Sequence, residues 1–141
     1  YAARVTAYLE ANNLSSRVKS LKDVAYADLP LIYQSAHLFI YPSRFEGFGI
    51  PIVEALHSGV PVIAATGSCL EEAGGSGSIY VNPDDPSQLA REISKLWDDE
   101  GRRAEMVESG RNHVQQFSND KIAARLAALY HNVLKDEKRD Q

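Results

Sequence analysis

Cysteine is nearly absent from this 141-residue chain: Cys69 is the single example, beside one methionine and one tryptophan. One thiol excludes an intramolecular disulfide framework and any multi-cysteine zinc site. Long apolar runs are missing too. Stretches such as Val60–Ala65 fall far short of the roughly 20 residues that span a bilayer, so no transmembrane helix is expected. Positive charge is not in excess, with 15 Lys+Arg against 19 Asp+Glu and a formal net charge of −4. No segment carries a stripe of Lys and Arg, which sets aside non-specific nucleic-acid binding. His37, His113 and His131 show no metal-ligand spacing. The opening Tyr-Ala-Ala-Arg-Val lacks a Met and a signal-peptide pattern, and it reads as the middle of a helix. A piece of a longer protein is therefore expected.

What is present is ordinary for a folded domain: 44% hydrophobic and 24% charged residues. A chain of this size buries roughly 70% of the surface its unfolded form exposes, enough for one core. One domain, 1–141, is expected, with a frayed tail at 135–141. Apolar positions Val5, Tyr8, Leu9 and Ala11 recur at a helical period, predicting a helix over 2–13. Arg17–Leu21 is a strand candidate. Asp28 is placed to cap a short helix reaching Ala36, with Pro30 in its first turn. His37–Tyr41, Pro61–Ala65 and Ser78–Val81 read as buried strands. Helices are predicted over Ile50–Ser58, around Cys69–Ala73, from Asp85 to Trp97, and over Arg102–Phe117 and Asn119–Leu134. Gly59 fits the left-handed residue that closes a helix. Trp97 and Tyr130 read as core. Apolar strands alternating with helices predict an α/β fold: a Rossmann-like parallel sheet with helices on both faces.

The chemistry concentrates in Pro42–Val62. A buried strand ends at Tyr41, a loop holding Gly47 and Gly49 follows, and a helix begins at Ile50. In open α/β sheets ligands sit beyond the carboxyl ends of the strands. A helix start offers unpaired N–H groups and about half a positive charge, which suits phosphate. Glycines let backbone approach a ligand closely. Two carboxylates flank this point. Glu54 lies one turn into the helix, and helical side chains lean back toward the N-terminus. A carboxylate repels phosphate but accepts hydrogen bonds from a vicinal diol such as ribose. Glu46 is placed to meet sugar hydroxyls. The pair suggests a ligand with phosphate in the middle and polyols at both ends. The plain reading stands beside this one: a glycine turn, a surface Glu46 and an ion-paired Glu54. His57 reads as a helix C-terminal residue favoured by the dipole, and Cys69 as a small residue.

The residues Glu46 and Glu54, with seven between them, stand within Pro-Ser, Glu-Gly-Phe-Gly, Pro, Glu-Ala and Gly-Val-Pro-Val-Ile. Together with LPLIYQSAHLFIYPS upstream and GSCLEEAGG, Asn82-Pro-Asp-Asp, Gly110-Arg111 and Phe117-Ser118 downstream, this order resembles the donor-binding half of GT-B retaining glycosyltransferases, family 4, the glycosyl transferases group 1. The resemblance covers nearly the whole chain. It departs at Lys22, where relatives often have Gly, and at Asn119, where many have Trp.

The resemblance implies a C-terminal donor domain lacking its first strand and the acceptor domain. It implies that Glu54 binds the donor ribose and that Glu46 lies beside the transferred sugar, as a positioning group rather than a covalent nucleophile. The backbone of Gly47, Phe48, Gly49 and Ile50 then approaches the diphosphate and sugar, and Val24–Ala25 meet the base. Glu72 is placed as a residue that orders the nearby loop. The partner is a nucleotide sugar, used as substrate with no cofactor and no metal. A glycan or lipid-linked acceptor, and any membrane contact, would come through the absent domain. The parent enzyme is expected in the cytoplasm, with membrane association through that domain, and the isolated chain is expected to be inactive. Two alternatives stay open: half of a GT-B-like epimerase or phosphorylase, and a non-catalytic nucleotide-binding module.

Overall fold

A computed structural model of the chain describes residues 2–137. Three strands, β1 (Phe39–Tyr41), β2 (Val62–Ala65) and β3 (Ile79–Val81), form a sheet in that order. Both pairings are parallel, with Ile40 opposite Ile63 and Ala64 opposite Tyr80. Parallel neighbours need crossover connections. Helix α3 (Ile50–His57) supplies the first and α4 (Leu70–Gly74) the second. Around them lie α1 (Ala2–Ala11), α2 (Leu29–Gln34), α5 (Pro86–Trp97), α6 (Glu100–Val114) and α7 (Asn119–Glu137). Among the described residues no helix is long and apolar enough to cross a membrane.

The pleat sends alternate side chains of each strand to opposite faces, and both faces are covered. Phe39, Tyr41, Val62, Ala64 and Tyr80 join a layer with Ile52, Ala55 and Leu56 of α3, Leu70 and Ala73 of α4, and Val114. Leu38, Ile63, Ile79 and Val81 join a second layer with Leu89, Ile93 and Leu96 of α5 and Met106 of α6. Fully burying an Ile or Leu side chain contributes about 1.5–3 kcal/mol. Ile52, Leu56, Ile63 and Leu70 are all shut away from solvent. Helix α6 serves both layers, with Met106 in one and Val114 in the other. It approaches α3 closely at Gly110, where an added Cβ would stand 2.5 Å from Leu56 Cδ2.

The structure corrects several expectations. Residues 17–21 form no strand: Ser15–Arg17 is a 3₁₀ turn, and Val18 and Leu21 are exposed with no ladder beside them. A strand without a neighbour leaves its backbone groups to water. Asp28 makes no side-chain cap because it closes the 3₁₀ turn Tyr26–Asp28, and α2 stops at Gln34. Trp97 and Tyr130 are exposed rather than core. Trp97 turns away from the layer that takes Leu96 and stacks on His37, with ring centroids 5.3 Å apart. Of the tail, 135–137 continues α7, and 138–141 lies outside the described residues, as does Tyr1.

Candidate functional site

Pro42 cannot donate to a ladder, and β1 ends just before it. The chain turns through 42–49 and enters α3 at Gly49, whose φ of +106° and ψ of +42° are left-handed. Pro51 sits in the first turn of α3, where its missing N–H has no partner to lose. The two glycines do different work. A Cβ on Gly47 would meet nothing within 4 Å, so the space before it is open. A Cβ on Gly49 would stand 2.8 Å from Leu70 Cδ2 and 3.2 Å from Ala73 Cβ. Gly49 thus lets the start of α3 pack on α4, which the sequence reading assigned to ligand approach.

Several bonds hold the loop. Arg44 pairs with Asp84. The Cys69 thiol donates to the Glu46 carbonyl at 3.3 Å. Phe48 meets the edge of Phe117, with centroids 5.3 Å apart. The neighbouring loop is clasped by Glu71, which accepts from the Thr66 hydroxyl at 2.6 Å and the Gly67 N–H at 2.9 Å. Those two bonds hold its carboxyl below the usual range. The loop-ordering role expected of Glu72 therefore belongs to Glu71. The Glu72 carbonyl instead lies 2.9 Å from His113 Nε2.

Both flanking carboxylates are half-buried, and each accepts a hydrogen bond from a tyrosine. Tyr41 donates to Glu46 Oε1 at 2.7 Å, and Tyr33 donates to Glu54 Oε2 at 3.0 Å. The bond to Glu46, with burial, pushes the Tyr41 phenol up to about 12. Burial first, and then the bond to Glu54, pushes Tyr33 up to about 12. Glu46 is held below the usual carboxylate range by Tyr41 and then Ser43. The rings form a row. Tyr33 meets Phe39 edge-on at 5.3 Å, and Phe39 stacks on Tyr41 at 5.8 Å. Glu54, Tyr33, Phe39, Tyr41 and Glu46 are thereby one connected series along β1.

A cleft of about 340 Å³ opens beside Glu54, lined also by Tyr26, Leu29, Tyr33, Val53 and His57. Val24 and Ala25 lead directly into it, and the Ala25 carbonyl accepts from Asp28 N–H at 2.9 Å to close the turn carrying Tyr26. Glu46 and the backbone of Gly47, Phe48, Gly49 and Ile50 lie outside that cleft, along the loop. His57 lines the cleft, which its reading as a dipole-favoured helix end did not anticipate. Sequence reasoning missed Tyr26, Tyr33 and Tyr41. Tyr33 lies 21 residues from its partner, and only the fold brings the two together. Phe45 is 92% exposed at the loop tip. Among the described residues no group of three or more His, Cys, Asp or Glu is arranged to hold a metal ion.

The family model described as glycosyl transferases group 1 matches residues 1–113. O-antigen chain mannosyltransferase B of Escherichia coli is 35% identical over 101 residues, covering 72% of this chain and 26% of that protein. A D-inositol 3-phosphate glycosyltransferase of Salinispora tropica is 34% identical over 122 residues, covering 85% of this chain and 25% of that protein. The chain thus spans about a quarter of the length of the curated relatives it matches. Sucrose-phosphate synthase from Thermosynechococcus elongatus superposes with a TM-score of 0.84 at 27% identity, over 95% of this chain and 34% of that one. Anabaena Alr3699/HepE, solved in complex with UDP-glucose, superposes with a TM-score of 0.79 at 27% identity, over 91% of this chain and 37% of that one. The fold is the Rossmann-like C-terminal domain of GT-B glycosyltransferases. With 113 of its 141 residues inside the family model, the chain belongs to the glycosyl transferases group 1 family.

Proposed function

We propose that this chain is the donor-binding domain of a retaining glycosyltransferase, which moves a sugar from a nucleoside-diphosphate sugar to an acceptor hydroxyl. The observation that carries the reading is the pair of tyrosine-held carboxylates, Glu46 and Glu54, flanking an open loop and helix start. The UDP-glucose complex of the similar HepE supports a nucleotide sugar as the ligand. Glu54 takes the ribose diol and Glu46 the hydroxyls of the transferred sugar. The backbone from Gly47 to Ile50 faces the diphosphate, and Val24–Ala25 meet the base.

Transfer breaks the bond between the anomeric carbon and the diphosphate oxygen. Positive charge spreads over the sugar ring while negative charge collects on the leaving diphosphate. Pro51 has no N–H, and the Ile52 and Val53 N–H groups donate to the Gly49 carbonyl at 2.9 and 3.4 Å, so the Ile50 N–H and the positive end of the α3 dipole are what stabilise that growing anion. Glu46 lies where it orients the sugar, and retention follows if the acceptor attacks from the face the diphosphate leaves. The donor is the substrate, and neither a cofactor nor a metal takes part in this scheme. The acceptor, a glycan or a lipid-linked molecule, docks on a separate domain of the parent enzyme. Such an enzyme works in the cytoplasm, with membrane contact through that domain. Because the chain spans about a quarter of its relatives, the isolated chain binds donor without transferring sugar.

Ligand-observed NMR with UDP-, GDP- and ADP-sugars tests this directly. The wild-type chain should bind one class weakly, and Glu54→Gln should weaken it about tenfold or more, the loss of a charge-assisted hydrogen bond. Wild-type binding of none of the three would overturn the reading. Full affinity in the variant would overturn the ribose assignment.

A further inference from the structure

We infer that Tyr33 and Tyr41 are positioning residues, the two ends of an aromatic brace that fixes the Glu54 and Glu46 carboxylates at a set spacing for the two ends of one ligand. The inference rests on the donor-binding reading above. It concerns two residues to which the resemblance assigns no role, and both act through a carboxylate.

The geometry is specific. Each tyrosine engages one carboxylate oxygen, Glu54 Oε2 or Glu46 Oε1, and the Ser43 hydroxyl adds a second hydrogen bond to Glu46. A glutamate side chain has three rotatable bonds, and ordering it costs on the order of 1.5–2 kcal/mol. A tyrosine has two, and here its ring is already held. Tyr33 and Tyr41 both pack on Phe39, itself in β1, and all three rings border the buried layer around α3. The ordering cost is met when the domain folds rather than when the ligand arrives, which is how preorganisation raises affinity. The two carboxylates are also tied to each other through one strand. Phe39 and Tyr41 lie two residues apart in β1 and so share a face. A shift of either ring carries its carboxylate with it.

Tyrosine hydrogen bonds that only stabilise the fold would lower the melting temperature and leave binding alone. The brace predicts a coupled effect, read in the 141-residue chain with UDP, UDP-glucose, GDP and GDP-mannose as probes. Tyr33→Phe should weaken a nucleotide and its sugar conjugate alike, by about threefold to tenfold. Tyr41→Phe should weaken the conjugate by a similar factor and leave the free nucleotide unchanged. Tyr33→Phe added to Glu54→Gln, and Tyr41→Phe added to Glu46→Gln, should cost nothing beyond the Gln variant, since each tyrosine acts through its partner. Both substitutions keep the ring and its stacking, and a thermal melt checks that the fold survives.

A readout free of variants comes from side-chain relaxation in the ligand-free wild type. The Cγ groups of Glu46 and Glu54 should be rigid on the ps–ns scale beside that of exposed Glu108. Wild-type affinity in both Phe variants, additive losses in the pairs, or Glu46 and Glu54 as mobile as Glu108 would each overturn the brace while leaving donor binding intact. A wild type that binds none of the four probes would fail at the first titration, taking the donor reading and the brace together.

Discussion

Gly49 shows how one position can serve the site by serving the core. Its left-handed φ is a conformation that side-chain-bearing residues rarely adopt, and its Cα faces Leu70 and Ala73 rather than the open side of the loop. Gly49→Ala should therefore destabilise the domain by about 1–3 kcal/mol, from backbone strain and overpacking together. Gly47→Ala, which meets nothing, should melt within about 0.5 kcal/mol of wild type. Equal melting of the two variants in denaturant would sink the distinction. At this scale the sequence carried the acidic pair and not its support. The spacing of Glu46 and Glu54 is local and sits on a loop and helix that pattern alone can place. Tyr33 and Tyr41 are a helix tyrosine and a strand tyrosine, and no local pattern marks their hydroxyls as donors to those two acids. Glu71 and Glu72 are adjacent acids, and only the turn geometry of 66–70 selects the first as the clasp.

Elements with strong end signals came out where the sequence put them, or close to it. Asp85 accepts from the Gln88 N–H at 2.8 Å and fixes the start of α5 as expected, whereas α6 begins at Glu100, two residues before the expected Arg102, because Asp99 accepts from the Arg102 N–H at 2.8 Å. Asp85→Ala should cost about 0.5–2 kcal/mol of stability, as lost caps do, measured by chemical denaturation. An unchanged midpoint would mean that Pro86 alone sets the helix start. The three strands were legible because each is an unbroken apolar run ended by a turn residue, the mark of a strand covered on both faces. Residues 17–21 carried β-compatible residues and no such ending, and strand formation there would need a neighbour that the local sequence does not encode. Trp97 failed as core for a related reason. Helical periodicity sets a direction around the axis, and it does not say where the covered arc stops.

Across the whole molecule, the surface is uneven. Ile122, Leu126, Leu129 and Val133 follow one another at spacings of four, three and four along α7, and all are about half exposed, with Tyr130 and Leu134 beside them. A contiguous apolar stripe of this kind drives association when nothing covers it. In sedimentation velocity the 141-residue chain should therefore show concentration-dependent self-association, and Leu126→Lys with Leu129→Glu should abolish it. A monomer at every concentration would sink this expectation.

The dual service of α6 has a consequence for how this domain comes apart. Met106 and Val114 are eight residues apart, about 12 Å along one rigid rod. That rod is a clasp through both sides of the sheet, so neither layer can dissolve while the other keeps its grip. Slow-exchanging amides on α3 and on α5 should then surrender to solvent in a single global opening rather than in two separate ones. The loop 42–49, hung from α3 and α4, inherits the stiffness of the entire body.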